Sequence, residues 1–194
     1  MDPMNALPTL SAAAITTDRL LLRKAHDADI DGLIELQTDP QVRGHLGGPR
    51  PRSVVEQYFA ANGVSGIAGK PGVYVIANKE SDRLIGTLVL DRRSPDLPGH
   101  VTDEGAELEL TYLLRRGSWG AGLAFEAATA ILRAAAGELP DQPVLVVTQT
   151  ANERSLKLAT RLGFQRMGTF EAYNAEQTLA VADLHSFTAP ASGL

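Results

Sequence analysis

Trp119-Gly120-Ala121-Gly122-Leu123-Ala124 decides how this 194-residue chain is read. The stretch follows an apolar, strand-like run, Leu108-Glu109-Leu110-Thr111-Tyr112-Leu113-Leu114. It opens into Ala127-Ala128-Thr129-Ala130-Ile131-Leu132, which reads as a helix. A tight, glycine-bearing turn between a strand and a helix leaves several backbone N–H groups unpaired and pointing one way. The helix dipole adds partial positive charge there, so the place suits a phosphate or pyrophosphate. Gly120, Gly122 and Ala124 carry little or no side chain, which lets an anion lie directly on the backbone. An ordinary turn followed by a small-residue helix contact is the alternative reading.

Farther along, Asn152-Glu153-Arg154-Ser155-Leu156-Lys157-Leu158-Ala159-Thr160-Arg161-Leu162-Gly163-Phe164 follows a second apolar strand, Val144-Leu145-Val146-Val147-Thr148. It has the shape of a capped helix ended by glycine. Together the two segments resemble the GNAT acetyltransferase superfamily, and within it the RimJ/RimL subgroup, the amino-terminal acetyltransferases of ribosomal proteins and their relatives. In that family a W-G-x-G-x-A or R/Q-x-x-G-x-G/A turn binds the coenzyme A pyrophosphate. An N-x-x-S/A helix ending in L-G-F then lines the pantetheine arm. The resemblance runs from Thr17 to Phe187: Thr17-Asp18-Arg19-Leu20-Leu21-Leu22-Arg23 matches the opening strand and Leu84-Ile85-Gly86-Thr87 the third. A G-x-G turn alone is a weak signal, whereas four pieces in order and at the right spacing are hard to obtain by chance.

The bulk properties agree with a single domain. At 194 residues, 44% hydrophobic and 21% charged, the chain is large enough to bury a core without staples. No apolar stretch reaches the length of a membrane span, since 123–136 is broken by Glu126 and Arg133. The start, Met1-Asp2-Pro3-Met4-Asn5, lacks the basic and apolar regions of a signal peptide, so a cytoplasmic location is expected. The absence of cysteine excludes disulfides, thiolate metal sites and a cysteine nucleophile. The net charge of −5 argues against nonspecific nucleic-acid binding as the main task.

Residues 1–14 are rich in Pro, Ala and Ser and read as a flexible arm, 15–188 as the one acetyltransferase domain, and 189–194 as a tail. Strands are expected at 19–23, 73–77, 83–91, 105–114, 144–149, 165–173 and 177–187, with the last two joined by a hairpin around Asn174-Ala175. Helices are expected at 27–38, from a capping box Ser53-Val54-Val55-Glu56 to near Gly63, at 122–136 and at 153–162. The glycine-rich loop 63–72 reads as mobile. This order predicts an α/β (α+β) fold, a mixed sheet of about seven strands with helices on both faces, and the GNAT resemblance implies that this central sheet is mostly antiparallel. The resemblance further implies that strands four and five splay apart and admit the thioester arm of acetyl-CoA between them.

Acetyl transfer to an amine needs a grip on the coenzyme, a neutral amine, a polarised thioester carbonyl and a proton for the leaving thiolate. The grip falls to Trp119, Gly120, Ala121, Gly122, Leu123 and Ala124. A lysine side chain, pKa about 10.4, is neutral in only about one molecule in 2,500 at pH 7, an α-amine, pKa about 7.8, in about one in seven. A general base is therefore more valuable for lysine-like acceptors. Glu107 and Glu109 share a face of strand four by period two, and Glu109 stands where the RimJ/RimL pattern places its glutamate. A solvated strand face is the alternative for both. By analogy with the family, a backbone N–H near Leu113 or Leu114 polarises the carbonyl.

The proton donor is the less determined part. Many GNAT enzymes carry a tyrosine seven residues after the helix asparagine, and that position is Ala159 here. The subgroup instead offers the N-x-x-S serine, Ser155, with Tyr112 and Tyr173 as fallback donors. Asn152 fits both an N-cap and a pantetheine contact. The histidines 26, 45, 100 and 185 lack metal-ligand spacing, so no metal is expected. His45 lies in the loop that borders the acceptor, where Arg43, Arg50 and Arg52 suit either an acidic acceptor or a solvated basic loop.

The reading is therefore an acetyl-CoA-dependent N-acetyltransferase working by direct transfer in a ternary complex. The acceptor is a protein or peptide α-amine or a small-molecule amine, with neither nucleic acid nor membrane as partner. A catalytically silent acyl-CoA-binding or regulatory module on the same fold is the alternative. Relatives are commonly dimers, so a homodimer stays open, although no segment specifies an interface.

Overall fold

A run of buried residues, Val73-Tyr74-Val75-Ile76-Ala77, marks a strand covered on both sides, and the sheet around it has helices on each face. The structure is a computed structural model that describes residues 7–64 and 69–188. Eight strands form one sheet: β1 (Ile15–Thr16), β2 (Leu20–Arg23), β3 (Val73–Asn78), β4 (Leu84–Arg92), β5 (Leu108–Leu114), β6 (Pro143–Gln149), β7 (Gln165–Ala172) and β8 (Ala175–Asp183). Their spatial order is β1-β2-β3-β4-β5-β6-β8-β7. Among the described residues, four α-helices accompany them: α1 (Ile30–Thr38), α2 (Arg52–Asn62), α3 (Leu123–Glu138) and α4 (Glu153–Leu162).

Helix α3 is alanine-rich, which favours the helix and keeps its inner face shallow. Ala127, Ala128, Ile131, Leu132 and Ala135 are fully buried there, in one core with Leu88, Leu90, Leu108, Leu110, Val144 and Val146 of the sheet. On the other face α1 and α2 contribute Leu33, Ile34, Leu36, Val55 and Phe59 to a second core with Val75, Ala77 and Leu84. Among the described residues, no helix is long and apolar enough to cross a membrane.

Every neighbouring pair in the sheet is antiparallel except β5 and β6. That parallel pair holds for only two positions, Leu108 opposite Val144 and Glu109 opposite Leu145. Beyond them β5 stays paired to β4 as far as Leu114, and β6 stays paired to β8 as far as Gln149. The splay implied by the family resemblance is therefore present, and it opens in the middle of the sheet. At its open end Gly86, opposite Leu114, lets β4 and β5 close up, since a Cβ there would sit 2.1 Å from the Leu113 carbonyl oxygen.

Several local expectations shift. The additional strand is β1, too short for periodicity to reveal. Helix α2 begins at Arg52 with Pro51 at its N-cap, so Ser53 falls inside the first turn and the expected capping box does not form. The last hairpin turns at Tyr173 and Asn174, whose φ angles of 56° and 58° suit a two-residue turn. The final strand stops at Asp183 and Leu184–Phe187 form a 3-10 turn.

The described part of the expected arm lies against the fold: Leu10 is 1% exposed, and the Ala12 carbonyl accepts a hydrogen bond of 2.5 Å from Tyr74 Oη. Residues 1–6, residues 65–68 of the glycine-rich loop and the tail 189–194 lie outside the described residues.

Candidate active site

A cavity of about 700 Å³ occupies the opening between β5 and β6 and continues to the N-termini of α3 and α4. Its wall takes in most of the residues on which the acetyl-transfer reading depends, Leu113, Leu114, Trp119, Asn152 and Ser155 among them. The N–H of Arg115 bonds to the Ile85 carbonyl of β4 at 2.9 Å. Alternation along an antiparallel ladder therefore turns the N–H and C=O of Tyr112 and Leu114 away from β4, into the gap. There the Leu114 carbonyl is taken by Trp119 Nε1–H at 2.9 Å. Of the two leucines named as sources of a carbonyl-polarising amide, Leu114 faces the cleft with its backbone, and Leu113 contributes its side chain.

The loop before α3 has the geometry an anion needs. Gly120 and Gly122 have φ of 79° and 74°, left-handed values that a side chain opposes. A Cβ on Gly120 would touch nothing within 4 Å, so the backbone, not crowding, sets the requirement for glycine there. The N–H groups of Gly120 through Phe125 meet no acceptor among the described residues, and the first intrahelical bond runs from Glu126 N–H to the Gly122 carbonyl. Gly120, Gly122, Leu123 and Ala124 line the cavity; Ala121 does not, and its carbonyl accepts from Arg19 Nη1 at 2.9 Å.

Glu126 ties this loop to the first strands, accepting from Thr17 Oγ1 at 2.6 Å, Arg19 N at 2.9 Å and Arg19 Nε at 2.6 Å. Burial alone would raise its carboxyl, but these donors outweigh burial and hold it below the usual carboxylate range. Two cations from α4 complete the rim. Arg154 lies 4.8 Å over the Trp119 ring and Arg161 4.0 Å over Phe125. Sequence reasoning passed over both arginines, although their 7-residue separation on one helix already places them on a common face.

On the far lip, Asn152 caps α4 by accepting the Ser155 N–H at 3.3 Å and donates to Thr148 Oγ1 at 3.1 Å. The Ser155 hydroxyl lies 2.8 Å from the Tyr112 hydroxyl, which reaches it from β5. Burial raises the Tyr112 phenol above its ordinary value of 10.0, against a smaller opposing effect of the Ser155 hydrogen bond, so the group stays protonated at neutral pH. Ala159 is buried in the core, and Tyr173, 75% exposed at the hairpin tip, does not line the cavity.

Glu107 and Glu109 are not brought to the cavity wall. Glu107 accepts from the Val101 and Thr102 N–H groups, Thr102 Oγ1 and His100 Nδ1, all within 3.0 Å. Glu109 is paired with Arg93 Nη1 at 2.7 Å. Both carboxylates instead fasten the loop between β4 and β5. Arg43 is also structural, donating to the Gly48 and Leu46 carbonyls and to Gln37 Oε1, while Arg52 pairs with Glu56. His45 does line the cavity, with Nδ1 3.3 Å from Gln149 Oε1. No group of His, Asp or Glu among the described residues could hold a metal ion.

The split sheet and the open helix N-terminus beside it define an acetyl-transferring enzyme of the GNAT type. The GNAT acetyltransferase domain family matches residues 19–165, and the chain belongs to that family. It is 29% identical over 161 residues to the uncharacterized N-acetyltransferase p20 of Bacillus licheniformis, covering 81% of this chain and 85% of that one. A GNAT-family acetyltransferase from Bacillus anthracis superposes with a TM-score of 0.70 at 19% identity, covering 88% of this chain and 98% of that one. The RimL ribosomal L7/L12 alpha-N-protein acetyltransferase in complex with coenzyme A superposes with a TM-score of 0.65 at 16% identity, covering 89% and 99%. The chain is thus an acyltransferase of this family.

Proposed function

We propose that the protein carries the acetyl group of acetyl-CoA directly to a primary amine within one ternary complex, the amine being a protein or peptide α-amine or that of a small molecule. One observation carries this reading: Gly120 and Gly122 to Phe125, whose amides meet no acceptor among the described residues, line the same cavity as the Tyr112–Ser155 hydroxyl pair. The amides and the helix dipole suit a pyrophosphate, and Arg154 and Arg161 add charge for phosphate groups. Asn152 and the exposed backbone of β5 suit an extended amide-bearing arm.

In this scheme the Leu114 N–H donates to the thioester carbonyl oxygen as negative charge gathers on it. Ser155, hydrogen-bonded by Tyr112, supplies the proton that the departing sulfur takes up. With no cysteine in the chain, transfer needs no cysteinyl acyl-enzyme. The coenzyme A complex of the RimL acetyltransferase, on the same fold, supports the choice of donor, and its α-N-protein acceptor supports trying amino termini first.

Calorimetric titration with acetyl-CoA, followed by free-thiol release with a panel of peptide α-amines, lysine-like amines and amino sugars, tests the proposal. Binding together with amine-dependent thiol release is expected. Binding without turnover on the whole panel would favour a silent acyl-CoA-binding module, and failure to bind would remove the proposal.

A further inference from the structure

With both strand glutamates engaged elsewhere, the acetyl-transfer reading lacks a group to take the proton that the attacking amine must lose. We propose that His45 is that general base and that Gln149 is its positioning residue; the inference rests on the function proposed above. Among the described residues lining the cavity, His45 and Glu153 are the side chains that offer a general-base group, an imidazole and a carboxylate. Glu153 stands at the start of α4, on the coenzyme side, 77% exposed and 3.4 Å from Lys157. His45 enters from the opposite side, on the loop joining α1 to α2.

That loop is built rather than slack. Asp39 Oδ1 accepts from the Gln41 and Val42 N–H groups, at 2.7 and 3.0 Å. Buried Arg43 gathers the Leu46 and Gly48 carbonyls and Gln37 Oε1 around itself. His45 is two residues from this anchor, and its contact with Gln149, the last residue of β6, spans from the loop to the lip of the splayed sheet.

The contact also selects the tautomer. Gln149 Oε1 is a carbonyl oxygen and only accepts, so the imidazole proton sits on Nδ1 and Nε2 keeps its lone pair. No described residue hydrogen-bonds Nε2. As the amine nitrogen bonds to the thioester carbonyl carbon, its proton passes to Nε2. The C–S bond then breaks with its electron pair on sulfur, which takes the proton of the Ser155–Tyr112 pair. Solvent removes the imidazolium proton and restores the hydroxyl proton, so one proton moves from nitrogen to sulfur overall.

The test uses the full chain with glycinamide as probe acceptor. His45→Ala should release thiol about 100-fold more slowly or worse, with acetyl-CoA affinity within about twofold of wild type. Added imidazole should restore part of the His45→Ala rate but none of the His45→Gln rate. The tautomer is read without any acceptor, by nitrogen-15 NMR of histidine-labelled protein: a proton on Nδ1 is expected, and Gln149→Leu should abolish that preference. A His45→Ala rate within about threefold of wild type, absence of imidazole rescue, or a proton on Nε2 would each overturn the assignment. If wild type binds acetyl-CoA yet does not acetylate glycinamide, the tautomer decides. Wild type that fails to bind acetyl-CoA overturns the underlying function instead, before any variant is made.

Discussion

The hydroxyls of Tyr112 and Ser155 lie 2.8 Å apart across the cleft, one from a strand and the other from the first turn of a helix. In the proposed scheme the pair takes the role that the family often gives to a tyrosine on the same helix as the asparagine. Tyr112→Phe and Ser155→Ala should each slow single-turnover thiol release by about 100-fold, and the double variant should lose little more than either alone. Multiplicative losses would show that the hydroxyls act independently.

Gly122 caps α3 with φ of 74°. Forcing a side chain into that conformation costs about 1–2 kcal/mol, so Gly122→Ala should leave the competent loop, and with it acetyl-CoA affinity, about five- to thirtyfold lower. Calorimetry on the variant checks this. Unchanged affinity would place the pyrophosphate somewhere else.

Glu109 pairs with Arg93, whose side chain is 5% exposed and whose Nε has no partner among the described residues. Neutralising the carboxylate leaves a buried guanidinium held by little besides the Pro98 carbonyl. Glu109→Gln should therefore cost about 2 kcal/mol of stability while kcat stays within about twofold. A large fall in kcat at full stability would return Glu109 to the chemistry.

Glu107 supplies the clearest dependence of stability on pH. Burial pushes its carboxyl up, but His100 and the Val101 and Thr102 amides outweigh burial and bring it from 4.5 down to about 2. A depressed carboxyl contributes its stability above the unfolded value, and that contribution fades as pH falls from 4.5 towards about 2. At neutral pH it amounts to about 3 kcal/mol. Denaturant melts of wild type and Glu107→Gln should differ by roughly this much at pH 7 and converge near pH 2. A constant gap across that range would contradict the assignment.

The parts of the fold legible in the sequence are those governed by local chemistry. Helix α4 runs over 153–162 as expected, because Asn152 caps it and Gly163, at φ of 103°, ends it within one short segment. The glycine turn before α3 is legible for the same reason. Where neighbouring signals competed, local reading slipped: Pro51 took the cap from Ser53, and Tyr173-Asn174 took the turn from Asn174-Ala175. Leu10 joins the core although nothing around it is periodic, since a lone apolar residue gives no pattern until a partner surface exists.

By itself, then, the order of residues determined the succession of the longer strands and helices, the glycine turn before α3 and the capped helix α4, since each depends on groups a few positions apart. Only the tertiary structure decided which side chains meet. It parted Glu109 from the cleft by giving it Arg93, joined Tyr112 to Ser155 over 43 positions, and set His45 against Gln149 over 104. Such pairings follow from strand order and from the gap between β5 and β6, where the backbone ladder stops after two residues. Spacing along the chain carries no record of either.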